Sequence, residues 1–219
     1  MPLRAVKSRA LTRDHEAFPS KESGKAERPE TCAVAIDFRD AVKAQITQAV
    51  LAALLERCGY RITRLGIEEL FREVKFKELA QYREMALPEQ LRYLPDLLVA
   101  SPAENRALLV EVKYRRRFDD ASARRLFEAI HRQRKHWPEA YAVLMISQPF
   151  GSHDRFHQDY IRVLPPHATD RLTDRFLPPQ ERWRRLPRLH NVFKALSDSG
   201  GNRALADFVT HALKSLAGL

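Results

Sequence analysis

Three charged residues stand inside two short apolar segments of the sequence. Asp96 lies in Leu-Pro-Asp-Leu-Leu-Val-Ala (residues 94–100), and Glu111 and Lys113 lie in Ala-Leu-Leu-Val-Glu-Val-Lys-Tyr (residues 107–114). Burying such groups costs free energy unless they are paired or bind an ion. Two carboxylates and one ammonium at a single point could hold a divalent cation and act on an anionic substrate. These residues, the charged trio, are therefore the first candidates for a functional site.

Both segments are predicted to be interior β-strands. They are short and apolar, and the turn-forming segment Ser-Pro-Ala-Glu-Asn separates them. Side chains alternate along a strand, so Glu111 and Lys113 should project from one face while Val110 and Val112 pack on the other. If the two strands are hairpin neighbours, Asp96 can reach the same pocket. The spacing therefore predicts that the trio converges.

The sequence around these strands predicts the elements that must hold them in place. Apolar residues recur at helical spacing over residues 37–58, and Gly59 marks the end of that helix. The other predicted elements are a strand at 60–65, a helix at 67–85, a helix at 122–136, strands at 140–146 and 159–164, a surface segment at 167–187, and helices at 189–196 and 204–216 with a flexible break at 197–201. This order predicts an α/β fold, a three-layer α/β/α sandwich around a mixed sheet.

Length and composition favour one main domain. The chain has 219 residues, 44% of them hydrophobic, which is enough for one solid core. We expect a disordered basic and polar arm at residues 1–32, the core domain at 33–165 and a C-terminal helical extension at 166–219. Cys32 and Cys58 show neither disulfide nor metal-ligand spacing. They predict free thiols in a reducing compartment, and we expect a cytoplasmic protein.

The net charge narrows the class of partner. At pH 7 it is +10, and the sequence pI is about 9.9. Such a charge favours a polyanionic partner over a neutral small molecule, although a basic surface that serves only solubility is the alternative. No apolar stretch reaches the roughly twenty residues that cross a bilayer, so no membrane partner is expected. The sequence also lacks a phosphate-binding glycine loop, which argues against ATP use within this chain.

The pattern Pro95-Asp96, a spacer and Glu111-Val112-Lys113 resembles the active-site motif of the PD-(D/E)xK nuclease superfamily, which includes restriction endonucleases and Holliday-junction resolvases. The predicted order of elements over residues 37–146 is similar as well. The resemblance implies a restriction-endonuclease-like fold and a metal-dependent endonuclease that hydrolyses DNA phosphodiester bonds. The Tyr93-Leu94-Pro95-Asp96 strand is also similar to that of end-cleaving nucleases of certain transposons.

The residue types fit that chemistry. Asp96, Glu111 and the backbone carbonyl of Val112 present hard oxygen ligands, which suit Mg²⁺ or Mn²⁺ rather than zinc. Lys113 would hydrogen-bond the attacking water or neutralise developing charge on the phosphate. Nearby cations would lower the pKa of Lys113. The predicted roles are thus two acidic metal ligands, one carbonyl ligand and one assisting ammonium.

One position departs from the family pattern. Resolvase-like members carry a glutamate in the opening helix, and here Gln48 occupies the corresponding place. Its carbonyl can orient a metal-bound water, but it brings no charge, so a second metal would be held less firmly. Glu68 and Glu69 are candidate substitutes, and the alternative is that they are ordinary acids of a first helical turn.

Basic residues follow the motif closely enough to contact a nucleic-acid backbone. The predicted DNA-binding residues are Arg115, Arg116 and Arg117, followed on the next helix by Arg124, Arg125, Arg132, Arg134 and Lys135. The alternative for the helix is a solvated face. Trp183, with Arg182 beside it, is a further candidate for nucleic-acid binding. Gln133, four residues before Trp137, is similar to a glutamine–aromatic pair of exonuclease-type relatives.

Two alternatives to the nuclease hypothesis remain open. In the first, Asp96 caps a turn and Glu111 pairs with Lys113 on an exposed sheet face. In the second, the chain keeps the fold but is a catalytically inactive nucleic-acid-binding or adaptor subunit of a recombination, transposition or repair complex. If the protein binds DNA, as a nuclease or as an inactive subunit, a second copy of the chain or a partner ATPase or helicase is a candidate partner.

Overall fold

A five-stranded mixed sheet forms the centre of the protein. The structure, a computed structural model, describes residues 38–66, 87–150, 157–197 and 199–213. The strands are β1 (Arg61–Arg64), β2 (Leu97–Ser101), β3 (Arg106–Arg115), β4 (Tyr141–Ile146) and β5 (Ile161–Leu164). They follow one another in the sheet in chain order, and every neighbouring pair is antiparallel except β3 and β4, which are parallel. The predicted α/β fold with a mixed sheet is confirmed.

Six α-helices occur in the described parts of the chain. They are α1 (Phe38–Arg57), α2 (Glu89–Arg92), α3 (Asp120–Arg134), α4 (Pro179–Arg185), α5 (Leu189–Val192) and α6 (Ser199–Phe208). Short 3₁₀ turns occupy His157–Tyr160, Thr169–Leu172 and Lys194–Ser197, and a π-helical turn, Val209–Leu213, follows α6. Within residues 38–66, 87–150, 157–197 and 199–213, none of the helices is both long and apolar enough to cross a membrane.

The sheet separates two hydrophobic clusters. Along β4, Val143 and Met145 enter a cluster shared with α1, α5 and α6, whereas Ala142, Leu144 and Ile146 enter a cluster shared with α3 and α4. This alternation is the ordinary two-residue period of a strand buried on both faces. Helices therefore pack against both faces of the sheet, while the finer three-layer sandwich stays a prediction.

Local sequence determines where the two longest helices begin and end. Gly59 has φ +87°, a left-handed conformation that favours glycine, and α1 ends two residues before it, as predicted. Helix α3 begins at Asp120 rather than at residue 122 because Asp119 and Ser122 form a capping box. The Asp119 carboxylate accepts a hydrogen bond from the Ser122 backbone N–H at 2.8 Å. These caps satisfy backbone groups that would otherwise lack partners.

The C-terminal part of the chain differs from the sequence prediction. Residues 36–219 form one compact unit, and residues from 166 onward supply both clusters, so the predicted C-terminal helical extension contributes to the core. The predicted break at 197–201 is wrong at its end, because α6 starts at Ser199. A Cβ atom on Gly201 would lie 2.6 Å from the Leu196 Cα, so glycine there permits close packing.

Several predicted features lie outside the described residues. These are the arm at residues 1–32, the helix at 67–85 and its acids Glu68 and Glu69.

Candidate active site

Asp96 is fixed at the point where the first three strands meet. It immediately precedes β2, whose first residue, Leu97, pairs with Val110 of β3. The backbone carbonyl of Asp96 accepts a hydrogen bond from the Leu65 N–H, just beyond β1, at 2.9 Å. The antiparallel register therefore brings the Asp96 side chain beside Glu111 and Val112, as the hairpin prediction required.

Both oxygens of the Asp96 carboxylate accept hydrogen bonds. Oδ2 accepts from the Val112 backbone N–H at 2.7 Å, and Oδ1 accepts from Gln48 Nε2 at 2.8 Å. Gln48 reaches the site from α1, on the opposite side of the sheet from α3. Gln48, the residue that departs from the family pattern, therefore contacts Asp96, the first acid of the motif, directly. A carboxylate held by two donors has a fixed orientation before any ligand binds.

Glu111 is a buried carboxylate with two partners. Its residue is 6% exposed, Oε1 forms an ion pair with Lys113, and Oε2 accepts from Gln133 Nε2 at 2.5 Å. Gln133 lies on the core face of α3 and is 5% exposed. One cation and one amide therefore offset the cost of removing the Glu111 charge from water. The structural alternative is right that Glu111 pairs with Lys113, but Glu111 does not lie on an exposed sheet face.

Lys113 connects the buried acid to solvent. Its side chain is 28% exposed, compared with 7% for Glu111. Burial works to lower the pKa of Lys113, but the charges of Glu111 and Asp96 outweigh it, so the pKa is raised above 10.5. Lys113 is therefore a cation at neutral pH and can act as a hydrogen-bond donor. The predicted lowering of this pKa by a bound cation is a separate effect and stays a prediction.

Four arginines line a pocket at the end of β3. This arginine pocket has a volume of about 440 Å³ and is bounded by Arg115, Arg116, Arg117, Arg125, Asp119 and Gln148. Asp119 is the one acid among them; it caps α3 and also accepts from Arg117 Nε at 2.8 Å. Four guanidinium groups against one carboxylate give this pocket a positive charge, which favours an anionic ligand.

The remaining predicted DNA-binding residues divide into two groups. Arg124, Arg132 and Lys135 are exposed on α3. Arg134 is not part of that surface: its guanidinium donates to Thr169 Oγ1 and to the carbonyls of Leu164 and Pro165, and burial lowers its pKa to about 10. Its donors tie α3 to the end of β5, which corrects its predicted role in DNA binding.

Trp183 is a core residue rather than an open platform. It is 1% exposed, its indole Nε1 donates to the Asp159 carbonyl at 2.8 Å, and its ring lies 5.2 Å from that of Phe118. Arg182 is also buried and pairs with Asp120. The prediction that this region binds nucleic acid through Trp183 is therefore wrong. The arginines around Trp183 made the apolar positions that anchor α4 difficult to recognise in the sequence.

Gln133 contacts Glu111, whereas the sequence had singled it out only through its spacing to Trp137. A signal was present, because Leu126, Ile130 and Gln133 follow one another at helical spacing on the buried face of α3. A polar residue on such a stripe needs a partner, and the partner proves to be Glu111. Trp137 lies one turn later and donates to the Gln90 carbonyl at 3.1 Å.

The donor set decides which ions this site fits. Asp96, Glu111 and the Val112 carbonyl offer hard oxygens, and each carboxylate oxygen has a second lone pair beyond the one already used. Within the described segments, no group of three or more His, Cys, Asp and Glu side chains is placed to hold a metal. Mg²⁺ commonly binds one or two carboxylates and keeps several waters, and Asp96 and Glu111 meet that requirement in ligand type and number.

Comparisons with known proteins add nothing to this geometry. No protein-family model matches the chain, and neither the curated proteins nor the solved structures compared with it give a match.

Proposed function

We propose that this protein is a nuclease that uses Mg²⁺ or Mn²⁺ to hydrolyse DNA phosphodiester bonds at a PD-(D/E)xK-like site. One observation carries the proposal: Glu111 pairs with Lys113, the Asp96 carboxylate accepts from the Val112 N–H between them, and the charge of Asp96 helps to raise the pKa of Lys113. Charged groups gathered at one partly buried point are candidates for a functional site, and two carboxylates with one ammonium suit a phosphate and its cation. The structural alternative accounts for the Glu111–Lys113 pair but gives no reason for Asp96 to join it.

Each residue has a role that follows from its contacts. When bound, the ion would polarise the scissile phosphate and acidify a water molecule. Asp96 and Glu111 would hold it, because their carboxylates are already oriented by Gln48 and Gln133 respectively. Lys113, whose pKa is raised by the neighbouring carboxylates, would stabilise negative charge or orient the water as a hydrogen-bond donor.

The arginine pocket would hold the substrate backbone next to the reacting group. Lys113 and Arg115 are alternate residues of β3, so they project to the same face with about 6.6 Å between their Cα atoms. A single DNA strand advances about 3.4 Å per nucleotide along the helix axis. A phosphate in the pocket would therefore lie one to two nucleotides from the phosphate at Lys113.

Cleavage assays on labelled linear, nicked, branched and single-stranded DNA with Mg²⁺ or Mn²⁺ test the proposal. The near-isosteric variants Asp96→Asn, Glu111→Gln and Lys113→Met should each lower the rate by about a hundredfold or more. Asp207→Asn and Lys194→Met change exposed residues of the C-terminal part and serve as matched controls. Wild-type cleavage that survives in all three site variants would exclude these roles.

One observation favours a second candidate, a non-catalytic DNA-binding subunit. Gln48 places a neutral amide against Asp96 where resolvase-like nucleases carry an acid. On this alternative, DNA binding weakens with salt, calorimetry detects no Mg²⁺ binding and no DNA substrate is cut. Association with a second copy or with an ATPase or helicase, and a cytoplasmic location, remain predictions.

A further inference from the structure

A second pocket lies on the other flank of α3, outside the site described above. It has a volume of about 780 Å³, and the residues that matter for its chemistry are Arg124, Phe127, Arg175, Phe176, Leu177 and Pro178. We call it the Phe176 pocket. Its position is defined by the first half of α3 on one side and by the loop that leads into α4 on the other.

Phe176 is exposed in a way that packing does not explain. Its residue is 97% exposed, and it is the one large hydrophobic residue exposed in the parts of the chain described by the structure. The loop holds it in a defined backbone turn, because the Phe176 N–H donates to Asp174 Oδ1 at 3.0 Å and Pro178 and Pro179 follow at the start of α4. An aromatic ring presented on a constrained turn loses little conformational entropy when it binds.

The charges around the ring favour an anionic ligand. Three arginines and two acids line the pocket, and one of each, Arg182 and Asp120, are already paired. Arg124 and Arg175 then face a single remaining acid, Glu128. A second ring, Phe127, also lines the pocket and stacks on His131 with centroids 5.6 Å apart. Aromatic faces beside guanidinium groups are the combination that binds bases and phosphates of single-stranded nucleic acids.

The two pockets are lined by neighbouring residues at the start of α3. Arg124 lines the Phe176 pocket and Arg125, the next residue, lines the arginine pocket. A strand whose phosphate occupies the arginine pocket can therefore pass over the first turns of α3 and reach Phe176. The bases of a duplex are paired and stacked on one another, so only an unpaired base can present its face to this ring.

We infer that the Phe176 pocket binds an unpaired nucleobase, so that the favoured substrate is DNA with a single-stranded segment beside a duplex. This inference rests on the proposed nuclease function for its meaning, but the contact itself needs no hydrolysis. Phe176 stacks on the base, and Arg124 and Arg175 contact the phosphates that flank it.

Fluorescence anisotropy with the full chain in EDTA tests the contact without cleavage. The probes are a blunt duplex, the same duplex with a six-thymidine overhang, and that overhang made abasic. Phe176→Ala should weaken binding to the thymidine overhang by about tenfold, as for the loss of one stacked base, and leave the other two probes unchanged. Phe176→Trp should restore the affinity, and Arg203→Ala, an exposed residue of α6, should have no effect.

The outcomes separate this inference from the nuclease proposal. Equal losses on all three probes, or an unchanged affinity for the thymidine overhang, would overturn base stacking at Phe176 even if the wild type cleaves DNA. The predicted pattern in a protein that cuts no substrate would support the pocket and contradict the nuclease.

Discussion

At the scale of single residues, Glu111 shows how a charge is accommodated in the core. It lies between the Lys113 ammonium and the Gln133 amide, so both carboxylate oxygens have a donor. Removing one donor would leave part of a buried charge uncompensated, which costs more than the hydrogen bond itself contributes. The same contacts fix the carboxylate for a ligand, so stability and chemistry depend on the same two partners.

Gln48→Glu should make the stability of the protein depend on Mg²⁺. A second carboxylate would replace the donor that Asp96 Oδ1 now accepts from, so the free energy of unfolding should fall by about 1–3 kcal/mol in EDTA. A bound divalent cation would offset the repulsion, so added Mg²⁺ should raise the Tm of this variant more than that of the wild type. Thermal unfolding with and without Mg²⁺ measures both effects.

Gln45→Glu, an exposed position on the same helix, is the matched control and should show neither effect. Equal Mg²⁺ stabilisation of Gln48→Glu and the wild type would mean that Gln48 does not adjoin a cation site.

His190 should make the fold sensitive to mild acid. Its pKa is lowered by burial and by the charges of Arg188, Lys194 and Arg162. The unfolded chain therefore binds a proton at this residue below about pH 6.5, while the folded protein does not. Stability is then lost as the pH falls from 6.5 toward the folded pKa. Urea unfolding between pH 8 and pH 5 should show a shallower loss for His190→Asn than for the wild type, and parallel curves would contradict this role.

The sequence was informative about the trio and about Gln48, but not about the contact of Gln133 with Glu111. Asp96, Glu111 and Lys113 are recognisable because charges are rare in apolar strands, and strand alternation predicts their common direction. Gln133 is 22 residues from Glu111 in sequence, and their contact depends on how α3 packs on the sheet. Arg134 and Trp183 were misassigned because composition does not distinguish a buried arginine or tryptophan from a surface one.

At the scale of elements, α3 organises the functional surface. Its first turns separate the arginine pocket from the Phe176 pocket, its core face brings Gln133 to Glu111, and Arg134 attaches its end to β5. The position of this one helix therefore affects the surroundings of Glu111 and the shape of both pockets.

The capping box of α3 should contribute measurably to stability. Asp119→Ala removes the acceptor of the Ser122 N–H and should lower the free energy of unfolding by about 1 kcal/mol. Hydrogen bonds from Ser122 and from Arg117 lower the pKa of Asp119 below 3.8, so the contribution is present at neutral pH and is lost as the pH falls through the folded pKa. Asp207→Ala is the control for charge removal. Denaturant unfolding at pH 7 should show the loss only for Asp119→Ala.

Most elements were predictable because their period or their end signals are strong. Helix α1 with Gly59, the β2–β3 hairpin and β4 all occur within a few residues of the predicted bounds. Helix α4 was missed because residues 167–187 are rich in proline and arginine, and its core contact rests on Trp183 and Arg182. Only two prolines at the start of α4 signalled a helix, and prolines signal turns equally well.

At the scale of the whole molecule, the net charge of +10 has a local focus beside the candidate active site. The double variant Arg116→Ala/Arg125→Ala should weaken DNA binding and reduce the slope of log K against log salt by about 1.8, or about 0.9 for each lost phosphate contact. Arg203→Ala controls for the loss of one positive charge elsewhere. Anisotropy titrations at several salt concentrations measure the slope, and an unchanged slope would show that the pocket contacts no phosphate.

The C-terminal quarter of the chain was the least predictable at this scale. Phe193, Leu205 and Phe208 complete the cluster with α1, while Trp183 and Leu186 complete the cluster with α3. These contacts join residues far apart in sequence, and periodicity alone does not reveal them. The spacing of apolar residues is the same in the helices of an extension as in helices that belong to the core.

The alternation of side chains along β3 serves the hydrophobic core on one face and the candidate site on the other. Val110 and Val112 face hydrocarbon, whereas Glu111 and Lys113 face the opposite way on the same strand. Inserting or deleting one residue upstream within that strand would reverse the direction of all four side chains. The valines would then face the candidate site, and Glu111 and Lys113 would face the hydrophobic core. A change in the length of β3 should therefore abolish both folding and the proposed activity. A change in the length of the turn at residues 102–105 should be tolerated, because loops accept insertions and deletions.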